Sequence, residues 1–163
     1  MATVASSAVP SEVSLCIKAV DDPQVRALER RHIAEMGQRY DGEGPAPLEA
    51  EEFEPPEGCF VVAVVDGDPV ACGGFRYLSP GVAEIKRMFV DRAARRQGLG
   101  ARILAFLEQR AVEVGYREAW LESGSEQPEA ISLYEAAGYE PRPAYGEFKH
   151  DPRSRCFSRL LTG

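Results

Sequence analysis

The chain has 163 residues, 44% of them hydrophobic, and a formal net charge of -7; that is enough apolar material for one domain with its own core, and the wrong charge for nucleic acid as a main partner. Its four cysteines, Cys16, Cys59, Cys72 and Cys156, lie far apart without CxxC spacing, which indicates no metal site and no disulfide framework and fits a cytoplasmic location. No run approaches the roughly 20 apolar residues needed to cross a bilayer, and no internal repeat occurs, so a soluble protein without a membrane partner is expected.

Residues 1–11 lack the basic lead and continuous apolar run of a secretory signal and read as a flexible tail before a single domain over 12–163. Val13 to Val20 reads as a first strand. Asp22 and Pro23 form an N-cap and N1 pair opening a helix to about Tyr40. Asp41 to Gly58, rich in Gly, Pro and Glu, marks a loop with one helical turn around Leu48 to Phe53. Phe60 to Val65 and Pro69 to Tyr77 are apolar, β-branched runs joined by Asp66-Gly67-Asp68, a hairpin signal. After Ser79-Pro80-Gly81, Val82 to Val90 forms a further strand.

The next segment, Arg95, Arg96, Gln97, Gly98, Leu99, Gly100 and Ala101, lies between that strand and a helix from about Gly98 to Val114. Leu99, Ile103, Phe106, Leu107, Arg110 and Val114 recur there at helical spacing, giving a mostly apolar face. In this context the segment is an anion cradle. Two glycines let the main chain approach a ligand, first-turn amides have no partner within a helix, and the helix dipole adds positive potential. Gly115 ends the helix, Ala119 to Glu122 gives a short strand, and Pro128 to Ala137 gives a helix closed by Gly138. Tyr139 to Leu161 reads as two strands around a polar loop, Gly146 to Ser154. The order β-α-(α)-β-β-β-α-β-α-β-β is a mixed α/β (α+β) arrangement on one sheet.

Two motifs then carry a resemblance. Arg95, Gly98 and Gly100 meet an (Arg or Gln)-x-x-Gly-x-(Gly or Ala) signature, and Leu133, Tyr134, Gly138 and Tyr139 meet a Leu-Tyr-x-x-x-Gly-(Phe or Tyr) ending. Together, in order and on these elements, the chain resembles the GNAT superfamily of acyl-CoA-dependent N-acyltransferases. The resemblance implies a mostly antiparallel sheet of about seven strands, splayed between the fourth and fifth, with about four flanking helices. It implies that the amides of Arg96 to Ala101 hold the CoA pyrophosphate and that Met88, Phe89 and Val90 pair with the peptide-like pantetheine arm. It further implies that a strand amide polarises the thioester carbonyl. Gln127 stands where the family often has an Asn that reaches the cofactor.

Tyr134 matches a tyrosine that protonates the departing thiolate, a modest task because a thiol of pKa about 8.5 leaves readily. The amine is the harder half. Only roughly 1 alkylamine in 2,500 is neutral at pH 7, so a proton acceptor is needed. Glu84 is the first candidate base; by strand alternation it shares a face with Lys86, Met88 and Val90, and Lys86 keeps it ionised. Glu122 is the second candidate, or a binder of the cationic substrate, and Tyr145 borders the acceptor site by the resemblance. A structural ion pair is the competing role for Glu84, and a core aromatic for Tyr134. His32, among charges, and His150, in a polar loop, read as surface residues.

The expected function is transfer of an acetyl group from acetyl-CoA to a primary amine of a small molecule, in a ternary complex and without a metal. No cysteine in either motif supports a covalent relay. Alternatives are a protein N-terminal or lysine acetyltransferase, and a non-catalytic acyl-CoA sensor on the same fold. A P-loop or dinucleotide-binding protein is disfavoured, because no Gly-Lys-(Ser or Thr) follows and Ile103 stands where the third glycine belongs. Acidic Glu43, Glu49, Glu51, Glu52 and Glu54 point to a cationic acceptor. A homodimer is common in the family, but no segment demands one.

Overall fold

A computed structural model describes residues 12–42 and 44–162. The tail expected at 1–11, and Glu43 of the acidic loop, lie outside the described residues. The strands are β1 (Val13–Ile17), β2 (Cys59–Val65), β3 (Asp68–Ser79), β4 (Val82–Val90), β5 (Glu118–Gly124), β6 (Glu140–Arg142) and β7 (Ser154–Leu160). The α-helices are α1 (Pro23–Arg39), α2 (Leu99–Glu113) and α3 (Pro128–Ala136). About four helices were expected; the described residues hold these three and three short 3-10 turns, at Ala50–Phe53, Arg92–Ala94 and Gly146–His150.

The seven strands form one sheet in the order β1-β2-β3-β4-β5-β7-β6. All neighbours run antiparallel except β4 and β5, which are parallel. Local turn chemistry fixes much of this. Asp66 (φ 51°) and Gly67 (φ 82°) both take positive φ, as a two-residue hairpin turn requires, and pin Asp68 opposite Val65. Asp22 caps α1 by accepting a 2.8 Å bond from the Gln24 amide. The first strand is shorter than expected, ending at Ile17, because the Asp22 amide bonds back to Ala19 and turns the chain into the helix.

Both faces of the sheet are covered. Cys59, Val61 and Ala63 of β2 join a core with Phe75, Ile85, Leu121 and the α2 residues Ile103, Leu104 and Leu107. Phe60 and Val62, alternating to the other side, pack with Phe89, Leu48 and the α1 residues Val25 and Leu28. Burial on both faces explains why β2 reads as one continuous apolar run.

One irregularity changes which residues share a face. Between Gly74–Lys86 and Cys72–Phe89 the register shifts, so Arg87 and Met88 oppose Gly73 alone, and Arg87 takes φ 60°. This is a β-bulge. Past it the alternation inverts: Met88 and Val90 pack on the α2 side with Ile85, not on the face of Glu84 and Lys86, while Phe89 goes to the α1 side. The expectation that Glu84 shares a face with Met88 and Val90 is therefore corrected. An extra residue in the strand inverts a period of two.

Candidate active site

Gly98 (φ 76°) precedes the first turn of α2, and Arg96 (φ 66°) also takes the left-handed conformation. The Arg102 amide closes the first helical bond, onto the Gly98 carbonyl at 3.1 Å. Among the described residues, the six amides from Arg96 to Ala101 find no acceptor. These are six donors, partly exposed at a helix N-terminus, where the helix dipole adds positive potential. Arg95 braces this loop from beneath: its Nε donates to the Val90 carbonyl (2.9 Å) and its Nη2 to Glu35 of α1 (2.6 Å). Gly100 lets the helix settle, since a Cβ there would meet Leu133 at 3.1 Å.

Beside the loop the sheet opens. β4 and β5 pair only over Val82–Glu84 against Glu118–Trp120, so from Ile85 to Val90 the edge of β4 that faces β5 carries no ladder. Met88 and Phe89 thus lie on an edge without a strand partner, able to take a peptide-like chain as an added strand, while the Val90 carbonyl is already taken by Arg95 Nε. Met88, Gln127, the N-cap residue of α3, and Tyr134 line one cleft of about 760 Å³; Phe89, Val90 and the loop from Arg95 to Ala101 lie outside its lining. Tyr134 is 5% exposed, its ring packed against Tyr139 and Phe157. Burial, and then the charge of Glu122, hold its phenol above its ordinary pKa, so it stays a proton donor at neutrality. Its hydroxyl has no hydrogen bond to the described residues.

The acidic end of the cleft contains both candidate bases in different settings. Glu84 is 2% exposed and saturated: Oε1 accepts from Arg76 Nε at 2.7 Å and Oε2 from the Tyr145 hydroxyl at 2.6 Å, with Lys86 Nζ 3.9 Å from Oε1. Arg76 also pairs with Glu52, so one guanidinium ties the acidic segment to β4. Arg76 was not identified from sequence, yet the Ser79-Pro80-Gly81 turn places it directly opposite Glu84. Glu122, only partly buried, has one long contact, 3.5 Å from the Ser154 hydroxyl. Burial pushes its carboxyl up to about 7, with Asp151 and Glu84 adding to the rise and Lys86 and Ser154 opposing it.

The roof of the cleft is fastened from both sides. Arg87 donates to the Ala46 carbonyl, Glu29 accepts from the Leu48 amide at 2.9 Å, and Leu48 enters the α1-side core. Of the acidic residues expected to meet the acceptor, Glu49 and Glu52 line the cleft; Glu51 and Glu54 are exposed and do not. Tyr145 lines it from the loop before β7. Tyr40, unremarked in the sequence, also does, and its hydroxyl fills the space that a Cβ at Gly124 would need.

His150 is exposed, but the surface reading of His32 is wrong. His32 is 9% exposed and stacks on Phe89, ring centroids 5.1 Å apart, and burial lowers its pKa to about 4. It is a neutral core residue. No group of His, Cys, Asp or Glu among the described residues is arranged to hold a metal, and no described helix is long and apolar enough to cross a membrane.

Residues 25–139 match the family model described as acetyltransferase (GNAT) family. An IAA acetyltransferase from Azospirillum brasilense is 33% identical over 127 residues, covering 77% of this chain and 83% of the relative. Among solved structures, a Klebsiella pneumoniae chain proposed to be an acyl-CoA N-acyltransferase aligns at 28% identity and TM-score 0.78, covering 92% of this chain and 98% of its own. An aminoglycoside 6′-N-acetyltransferase solved with coenzyme A shares the fold at 14% identity and TM-score 0.73, covering 92% and 98%.

Proposed function

The chain belongs to the GNAT family of acetyltransferases, and on that premise we propose that it moves an acetyl group from acetyl-CoA to a primary amine of a small cationic molecule, by direct attack in a ternary complex. The observation that carries this reading is the row of six unpaired amides, Arg96 to Ala101, in the loop that follows the unpaired end of β4. A diphosphate meets their hydrogen-bonding need, and a pantetheine arm meets that of the free β4 edge. The co-substrate brings its acyl group as a reactive thioester; positioning and proton transfer fall to the protein.

In this reading Glu122 takes the proton of the bound ammonium group and passes it to solvent, then takes the second nitrogen proton as the amide forms; a carboxyl titrating near 7 is well matched to both steps. Glu84, with both oxygens engaged, holds Tyr145 and Arg76 in place. An amide of the open β4 edge polarises the thioester carbonyl. Tyr134 gives its proton to the departing sulfur and regains one from solvent. Among the described residues no cysteine lines the cleft, and burial holds the Cys72 thiol at about 12, which favours direct attack over a covalent relay.

Charge supports a cationic acceptor. Carboxylates of Glu49, Glu52, Glu84, Glu122, Glu147 and Asp151 line the cleft against the cations Arg76, Lys86, Arg87 and Arg153. Relatives named for IAA and for an aminoglycoside support a small-molecule acceptor. The test is CoA release from acetyl-CoA with polyamines, aminoglycosides, amino acids, simple amines and a peptide amino terminus. A small polycationic amine should be the best acceptor; a peptide or an anionic amine in that place overturns this choice of substrate. Tyr134→Phe should lower kcat by about 10-fold with little change in the KM for acetyl-CoA, because the thiolate is already a fair leaving group.

A further inference from the structure

We propose that the hydroxyl of Ser123 is a second hydrogen-bond donor to the acyl-CoA sulfur, acting beside Tyr134. The inference rests on the acyl-CoA reading above. Ser123 is 4% exposed, and its Oγ is buried without a hydrogen-bond partner among the described residues. Such groups are rare in native proteins, and one that lines a ligand cleft marks a place where a ligand atom completes the bond.

Its position narrows the choice of ligand atom. The last β4–β5 pair is Glu84 with Trp120, so Ser123, three residues farther along β5, stands in the open wedge. Strand alternation puts it on the face of Leu121 and opposite to Glu122, which separates it from the carboxyl that takes the amine proton. Leu121 pairs with Phe157, and the Phe157 ring lies 6.5 Å from that of Tyr134. Ser123 is two residues from Leu121 on that face, about 7 Å along the strand. Tyr134 and Ser123 therefore offer two hydroxyls without acceptors to one side of one wedge.

In the reaction the bond from the acyl carbon to sulfur breaks as the bond to the amine nitrogen forms. The amine proton goes to Glu122, and the sulfur receives a proton from Tyr134. Ser123 transfers nothing; it donates a hydrogen bond that strengthens as negative charge gathers on sulfur, which favours the transition state over the bound thioester.

Calorimetric titration with CoA and with desulfo-CoA, which lacks the sulfur, tests the assignment. Wild type should bind CoA more tightly than desulfo-CoA. Ser123→Ala should weaken CoA by about 5-fold and leave desulfo-CoA unchanged, the loss of one hydrogen bond to sulfur. Ser123→Thr, which keeps a hydroxyl and suits a strand, should restore the difference, and kcat should fall in the Ala variant while the acceptor KM holds. Equal weakening of both ligands would place the hydroxyl on the pantetheine arm and overturn the proposal, as would no change in either. A folded wild type that binds neither ligand would overturn the parent reading itself.

Discussion

Glu122→Gln should lower kcat/KM by about 100- to 1,000-fold and remove the limb of the pH–rate profile centred near 7. The amide matches the carboxyl in shape, so the cleft should keep its form and the acetyl-CoA affinity should hold. Only the proton acceptor is lost. The sign follows from the shift: burial raises the Glu122 pKa to about 7, so the group is protonated and idle at pH 5 and ionised and competent at pH 8. Rate should therefore rise with pH through neutrality in wild type and be flat there in the variant.

Lys86 opposes the rise, and Asp151 and Glu84 promote it. Lys86→Met should move the limb to higher pH without abolishing it. Glu84→Gln is the contrasting variant. It removes the charge that Arg76 and Lys86 face and weakens the Tyr145 contact, so stability should suffer while the limb near 7 survives. A limb lost with Glu84 and kept without Glu122 would return the base to β4.

The second large effect is expected at Gly98. With φ at 76°, this residue is left-handed, and a β-branched side chain is strongly disfavoured there. The obstacle is conformational, since a Cβ at Gly98 would meet nothing within 4 Å. Gly98→Val should relax the main chain and turn the amides of Gly98, Leu99 and Gly100 out of convergence. Losing one or two charge-assisted bonds corresponds to a CoA affinity lower by about 100-fold. The thermal midpoint should change little, because the loop is exposed and α2 keeps Ile103, Leu104 and Leu107 in the core. Unchanged affinity in a folded Gly98→Val protein would mean that the amides do not bind the co-substrate.

Features governed by adjacent residues were legible in the sequence. Asp66-Gly67 specifies its hairpin, Asp22-Pro23 its helix start, and Gly138 (φ 91°) its helix end, because each is decided within a turn of chain. The splay between β4 and β5 was implied by the family motifs, not by periodicity, and their parallel direction was not legible at all, because alternation along either strand says nothing of its neighbour. The Arg87 bulge escaped because an inserted strand residue leaves no compositional mark, and with it went the face of Met88 and Val90.

The charged neighbours of His32 in sequence point to the surface, whereas the residue is buried. Its helical register with Val25, Leu28 and Met36, all buried, held the missing signal. Arg76 could have been found from the β3–β4 turn, which fixes the residues facing Glu84. The contrast between a saturated Glu84 and a barely bonded Glu122 was beyond the sequence. It depends on Arg76, Tyr145 and Ser154 arriving from separate strands and loops.

The central claim is that main-chain amides around Gly98 and Gly100 hold the diphosphate of coenzyme A. Parallel titration of the wild-type protein with CoA, 3′-dephospho-CoA and pantetheine isolates that contact. Removing the 3′-phosphate should change affinity little, while removing the diphosphate with the nucleoside should weaken it by about 100-fold or more. Pantetheine binding as tightly as CoA, or a folded protein giving no heat with any of the three, would contradict it.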